Sequence, residues 1–325
     1  MTKMPSTPQS ADFALALHGG AGTISPGSAD EAPYHAALQL ALEAGRLILV
    51  AGGTALDAVV AAVTALEDAP QFNAGFGAVF TADATHELDA SVMDGSTLAA
   101  GAVAGVQRVR NPVQLARAVM GSGSVILSGA GAERFAHEQG IALVEPSYFS
   151  TSARREQLQF VRARTNAAVL DHNALARDLS GAPLDERSKL GTVGAVARDR
   201  YGHLAAAGST GGMTNKRVGR IGDTPIVGAG VYANDTTCAI AATGTGEVFL
   251  RACVAHDIHA RLRYAGQNLE EACQAVIFDE LPKVDGVGGV VAVDRDGRIQ
   301  MVFNSSGMYR GWVTSATPAQ TAIYR

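Results

Sequence analysis

Ser180-Gly-Ala-Pro-Leu-Asp-Glu-Arg-Ser-Lys189 runs directly into Leu190-Gly191-Thr192-Val193-Gly194-Ala195-Val196. The first stretch has almost nothing to bury and reads as an exposed linker. The second reads as a β-strand that begins abruptly at a threonine. A turn at Asp199-Arg-Tyr-Gly202 and a second run, His203–Ala207, complete a β-hairpin. Gly289–Val293, the turn Asp294-Arg-Asp-Gly297 and Arg298–Phe303 repeat that logic. Between the hairpins the spacing predicts a helix from about Glu247 to Tyr264 and another opened by Asn268, with Glu271 as its capping-box partner.

Working back from the linker, residues 146–190 are polar, and their front part suits a helix. Pro112–Met120 reads as a short helix, and 76–106 as strands and turns. Thr54, with Asp57 three residues on, caps a helix that fades at Ala69-Pro70, and Ala32–Val50 has helical spacing. A short strand at 13–17 enters the loop His18-Gly-Gly-Ala-Gly22. Strand pairs alternating with helix pairs imply layered sheets covered by helices.

The chain's 325 residues, 47% hydrophobic and 18% charged, suit a globular protein of one or two domains and exclude disorder. Its 37 glycines are well above average usage of roughly 7% and sit in clusters between apolar runs, as tight loops do. A net charge of -5 argues against nucleic acid or an anionic membrane as partner. Cys238, Cys253 and Cys273 form no C-x-x-C pair and are expected to be buried and reduced. No signal-peptide pattern and no run of membrane-spanning length is present, so a cytoplasmic location is expected.

Taken singly, the chemistry-bearing clusters have plain structural readings: Phe72-Asn73-Ala74-Gly75 as a turn, Thr192 as a strand start, Thr243-Gly-Thr-Gly-Glu247 as a capped strand-to-helix loop. Combined, they suggest catalysis. A threonine hydroxyl is a weak nucleophile without a base beside it, and its own α-amine, freed by cutting the preceding peptide bond, is one such base. That amine titrates near roughly 7.7–8.0, so much of it is unprotonated close to neutrality. Such a solution needs a threonine at a strand start, a small residue before it and an accessible segment upstream. Gly191-Thr192 meets all three requirements.

The blocks Gly191-Thr-Val-Gly-Ala-Val, Ser209-Thr-Gly-Gly-Met-Thr-Asn-Lys216, Gly219-Arg-Ile-Gly-Asp223, Gly228-Ala-Gly-Val-Tyr-Ala-Asn234 and Thr243-Gly-Thr-Gly-Glu247 resemble the plant-type asparaginase/isoaspartyl peptidase family of N-terminal-threonine hydrolases. His18-Gly-Gly-Ala-Gly, Phe72-Asn-Ala-Gly, His86-Glu-Leu-Asp-Ala90 and Phe303-Asn…Gly307-Met-Tyr-Arg310 extend the resemblance over nearly the whole chain. It implies an α+β fold, the four-layer αββα sandwich of N-terminal-nucleophile hydrolases. One domain would be assembled from an α-subunit, 1–191, ending in a mobile linker at about 165–191, and a β-subunit, 192–325. Two such cleaved units would pair.

The resemblance further implies cleavage between Gly191 and Thr192, with Thr192 as nucleophile and Thr210 orienting it. Thr243 and Gly244 would form the oxyanion hole, and Asn73 would lie close by. Arg220, Asp223 and Gly246 would hold the α-carboxylate and α-ammonium of β-aspartyl dipeptides or L-asparagine. No cofactor would take part in catalysis, whereas a structural sodium ion would sit on the backbone carbonyls of Leu66, Glu67, Ala69, Phe72, Ala74 and Phe76. Ser305-Ser306 departs from the family's Thr-Glu pair at the pocket rim.

Other readings fit less well. Gly208-Ser-Thr-Gly-Gly212 has the outline of a nucleophile elbow, but threonine's methyl crowds that turn. His256 and His259 lack a carboxylate partner for a metal and read as a solvated helix face. His18 and His86 read as turn anchors. Thr243-Gly-Thr-Gly-Glu lacks the lysine or third glycine of a nucleotide loop.

Overall fold

A computed structural model describes residues 12–22, 24, 30–164 and 191–325. The linker expected at about 165–191 therefore lies, Gly191 apart, outside the described residues. The chain's described residues form a mixed α/β protein with two sheets, of eight and four strands.

Alternation of apolar side chains decides how these sheets stack, because successive residues of a strand point to opposite faces. At the centre of the large sheet, β1 (Ala14–Gly22) lies antiparallel to β5 (Val193–Arg198), which pairs with β6 (Leu204–Thr210), which pairs in turn with β2 (Leu88–Asp94). Outward from β2 lie β3 (Ala100–Val106) and the parallel β4 (Ile126–Ser128); β11 (Gly307–Thr314) and β12 (Gln320–Ala322) flank β1. Leu15, Leu17, Val193 and Ala195 on one face form a core with Leu38 and Leu42 of α1 (Ala32–Val50) and Val63 and Leu66 of α2 (Ala55–Glu67).

The opposite face turns Ala14, Ala16, Val196 and Ala206 toward the small sheet of β7 (Val231–Ala233), β8 (Cys238–Gly244), β9 (Gly288–Asp294) and β10 (Ile299–Phe303). Val231, Ala239, Val291 and Val293 meet them there. The far side of that small sheet packs Ile240, Val290 and Ala292 on Phe249 of α6 (Gly246–Ala252), Ile258 of α7 (Val254–Ala265) and Cys273 of α8 (Leu269–Gln274). Ile240 is fully buried in this third cluster. Ile240→Ala should cost about 2–5 kcal/mol, read as a lower denaturant midpoint at unchanged slope.

Both hairpins, α1, and α3 (Pro112–Met120) fall where their local signals put them. Asn268 and Glu271 close a reciprocal capping box, and Thr54 accepts the Asp57 N–H at 3.1 Å. Three local expectations fail. The helix expected over Glu247–Tyr264 breaks at Cys253, whose φ is +46°. The N–H groups of Ala255 and His256 there bond the carbonyls of Ala229 and Gly228, so a distant loop fixes the break. Cys253 is exposed, while Cys238 and Cys273 are buried and all three are free. The loop expected at His18–Gly22 is instead the end of β1, paired with β11 through a bulge between His18 and Gly20; a further helix, α4 (Gly129–Glu138), follows β4.

Candidate active site

The pairing of β5 with β6 sets Val193 opposite Ser209, which brings the residues just beyond, Thr192 and Thr210, together at one end of the sheet. Thr192 Oγ1 donates to Thr210 Oγ1 at 3.1 Å. Thr210 Oγ1 also accepts the Gly212 N–H at 2.9 Å, so the loop after β6 is fixed by the same hydroxyl that meets Thr192. A small pocket opens here, lined by Gly191, Thr192, Thr210, Gly212, Met213, Arg220, Gly222, Asp223, Thr224 and Gly244.

Gly244, at the end of β8, also lines this pocket, whereas Thr243 does not. Thr243 is fully buried and its hydroxyl accepts the Ala21 N–H at 3.4 Å, which leaves its own proton available to a second acceptor. Gly244 has no room for a side chain, since a Cβ would lie 2.4 Å from the Val287 carbonyl. Arg220 reaches over from the loop below, with its Nε and Nη2 each donating to Glu247 at 2.9 Å. That fork–fork ion pair, with side chains 16% and 54% exposed, leaves Nη1 uncommitted to Glu247. Burial pushes the Glu247 carboxyl up, but the bonds and charge from Arg220 outweigh this and hold it below the usual range.

Asp223 is buried, and one carboxylate oxygen has no hydrogen-bond partner. Burial pushes its pKa up to about 6, against its own backbone hydrogen bond and the Arg220 charge. Gly246 lies between the two: a Cβ there would meet Arg220 Nη2 at 2.7 Å and Asp223 Oδ1 at 3.0 Å. A cation-seeking carboxylate and an anion-seeking guanidinium thus flank one pocket, and they do not neutralise each other by direct contact among the ion pairs of the described residues.

Asn73 does not line the pocket. Its Nδ2 donates to the Gly212 carbonyl at 2.7 Å and its Oδ1 accepts from Val79 N–H, so the side chain ties the loop behind Thr210 to residues 73–79. His18 is a strand residue, opposite Gly194, rather than a turn anchor. Burial lowers its pKa to about 3, opposed by the adjacent Thr192 backbone, so it is neutral. His86 does anchor a turn, bonding Val79 O and Ser150 Oγ. His259 is buried against Thr237 Oγ1 at 2.6 Å, not solvated, and no metal-binding group of His, Cys, Asp or Glu occurs among the described residues.

The bulge in β1 between His18 and Gly20 requires a glycine. Gly20 has φ +110°, and a Cβ on it would lie 2.8 Å from the Gly191 nitrogen; only glycine lets this strand end pack against the Gly191–Thr192 junction. Between α2 and Gly77 the backbone packs too closely for side chains: Cβ atoms on Gly75 and Gly77 would lie 2.4 Å from the Glu67 oxygen and 2.0 Å from the Phe72 oxygen. Sequence reasoning assigned no role to Glu247, Met213, Gly222 or Thr224. Glu247 stood in a quoted motif, but nothing local links it to Arg220, 27 residues earlier.

Comparison with known proteins matches residues 11–323 to the family described as Asparaginase. The isoaspartyl peptidase of Salmonella typhimurium is 54% identical over 315 residues, covering 96% of this chain and 98% of that protein. The Escherichia coli isoaspartyl peptidase is likewise 54% identical over 315 residues, covering 96% of each. A probable isoaspartyl peptidase/L-asparaginase 2 of Arabidopsis thaliana is 38% identical over 327 residues, covering 96% and 99%.

Proposed function

The chain belongs to the asparaginase family, and we propose that it is an isoaspartyl peptidase/L-asparaginase that cuts itself before Thr192 and hydrolyses β-aspartyl dipeptides and L-asparagine. The single observation that carries the mechanism is the 3.1 Å contact of Thr192 with Thr210 at the floor of a pocket flanked by Arg220 and Asp223. In the uncut chain the Thr192 nitrogen is an amide and cannot serve as base. Scission of Gly191–Thr192 frees it as an amine.

In the proposed reaction the amine takes the hydroxyl proton as Thr192 Oγ attacks the β-carbonyl. The Thr243 hydroxyl and Gly244 N–H receive the negative charge that develops on the carbonyl oxygen. Collapse returns the proton to the leaving nitrogen, releasing ammonia or an amino acid and leaving a β-aspartyl ester on Thr192. Water, deprotonated by the same amine, then hydrolyses the ester. Arg220 and Asp223 hold the α-carboxylate and α-ammonium throughout.

Three apolar clusters, one between the sheets and one on each outer face, support the reading of the fold as a four-layer αββα sandwich. The same reading makes the working enzyme a cytoplasmic pair of cleaved αβ units. No helix among the described residues is long and apolar enough to cross a membrane. A sodium ion on the carbonyls of Leu66, Glu67, Ala69, Phe72, Ala74 and Phe76 would brace the turn that carries Asn73, with no part in the chemistry.

Covalent chemistry at Thr192 needs no divalent metal, so processed enzyme should hydrolyse β-Asp-Leu and asparagine at the same rate with and without EDTA. Activity abolished by EDTA and restored by zinc or manganese would sink this mechanism, and failure to hydrolyse either substrate would sink the function.

A further inference from the structure

Lys216 closes the Ser209–Lys216 block and has no part in the proposed chemistry. It is fully buried, which is rare for lysine, and its Nζ donates to the Glu87 carbonyl at 2.8 Å. Its stem runs beneath Gly212: a Cβ on that glycine, whose φ is +81°, would meet Lys216 Cδ and Nζ at 2.9 Å. Gly212 is the residue whose N–H meets Thr210 Oγ1.

The acidic neighbours come from β2 and the residue before its start. Glu87 is buried and accepts the Gly219 N–H through its carboxylate at 2.8 Å, one residue before Arg220. Asp89 is fully buried directly opposite Thr210 in the β2–β6 ladder. One Asp89 oxygen accepts the Gly105 N–H, and the other has no hydrogen-bond partner. Burial pushes the Asp89 carboxyl up and the Lys216 ammonium down, and each charge opposes the other's shift.

We propose that Lys216 is a positioning residue for the substrate pocket, acting with Asp89 from beneath the loop that joins Thr210 to Arg220. The loop's two ends carry the group that meets the nucleophile and the group that would hold the substrate carboxylate. Lys216 and Glu87 fasten the span between them, and Asp89 supplies the countercharge that lets an ammonium stay buried there. Removing Lys216 takes the cation from the buried carboxyls of Asp89 and Glu87, and removing Asp89 takes the larger of the two countercharges from the buried ammonium; the loop is the element that moves in response.

The proposal rests on the reading of Arg220 as a substrate ligand, and wild type assayed in parallel separates the two. A wild type that never turns over β-Asp-Leu defeats the functional reading; an active one makes the variants decisive. Lys216→Met and Asp89→Asn, assayed as processed protein normalised by the amount of the Thr192 fragment, should each raise KM for β-Asp-Leu at least about tenfold, more than they lower kcat. The double variant should be less impaired than the product of the single effects, because Asp89 acts through the ammonium that Lys216→Met removes. Asp89→Asn keeps the acceptor for Gly105 and answers the question alone if Lys216→Met does not fold. KM within about twofold of wild type in the folded singles, or single effects that multiply in the double, would overturn the proposal.

Discussion

Thr192→Ala should remain a single chain, folded and without hydrolytic activity, under conditions in which wild type separates into fragments 1–191 and 192–325. The substitution removes the hydroxyl that sits 3.1 Å from Thr210 and a methyl group at a partly buried position outside the three apolar clusters. Its cost in stability should therefore be small, while its chemical cost is total: neither the attack on the Gly191 carbonyl nor the attack on substrate has a nucleophile. Loss of a nucleophile lowers kcat by orders of magnitude, of order 10⁶ where it has been measured in hydrolases of this logic. Intact mass and a denaturing gel read the first consequence, and release of leucine from β-Asp-Leu reads the second. Thr192→Ser, which keeps the hydroxyl, should still process. Wild type that stays uncut yet active, or Thr192→Ala that is cut at the same bond, would refute the assignment.

The parts of the fold legible in the sequence are those set by local chemistry. Turn residues at Asp199–Gly202 and Asp294–Gly297 mark the hairpins, Asn268 and Glu271 open α8, and Pro112 opens α3. Elsewhere, tertiary contacts decided the outcome. Cys253 breaks an otherwise continuous helical pattern because residues 228–229 offer carbonyls to the first N–H groups of α7. The glycines of the strand end His18–Gly22 look like loop, yet pairing with β11 and β5 draws them into β1. Of the site, the blocks holding Thr192, Thr210, Arg220, Asp223 and Gly244 were visible as motifs, and the structure gathers these residues around one pocket. The partners of those residues were not visible: Glu247 on Arg220, Asn73 on Gly212, and Glu87 beneath Gly219 all join segments far apart in the chain.

Arg220→Ala and Asp223→Ala should each lower kcat/KM for β-aspartyl substrates by at least about a hundredfold, while α-aspartyl dipeptides go uncut by wild type. A β-aspartyl substrate carries a free α-carboxylate and a free α-ammonium on one carbon, whereas an α-linked peptide has spent that carboxyl on the peptide bond. Arg220 meets Glu247 through Nε and Nη2, which leaves Nη1, beside Gly222 of the pocket wall, for a second carboxylate. The exposed half of Glu247 makes its pair with Arg220 a weak competitor for that role. Asp223 is the firmer anchor, because its unpartnered oxygen is already buried and an ammonium would supply the missing donor. Leaving either substrate charge unpaired in this partly closed pocket costs roughly 2–5 kcal/mol.

The pKa of Asp223, pushed up to about 6 by burial, gives the sign of the pH dependence. Below about that value the carboxyl is protonated and cannot pair with the ammonium, so kcat/KM should fall on the acid side through an ionisation near 6. Asp223→Asn should abolish that limb and leave the one set by the Thr192 amine. Near-normal hydrolysis by either alanine variant, equal cleavage of α- and β-linked dipeptides, or an acid limb unchanged in Asp223→Asn would show that this loop does not read the substrate.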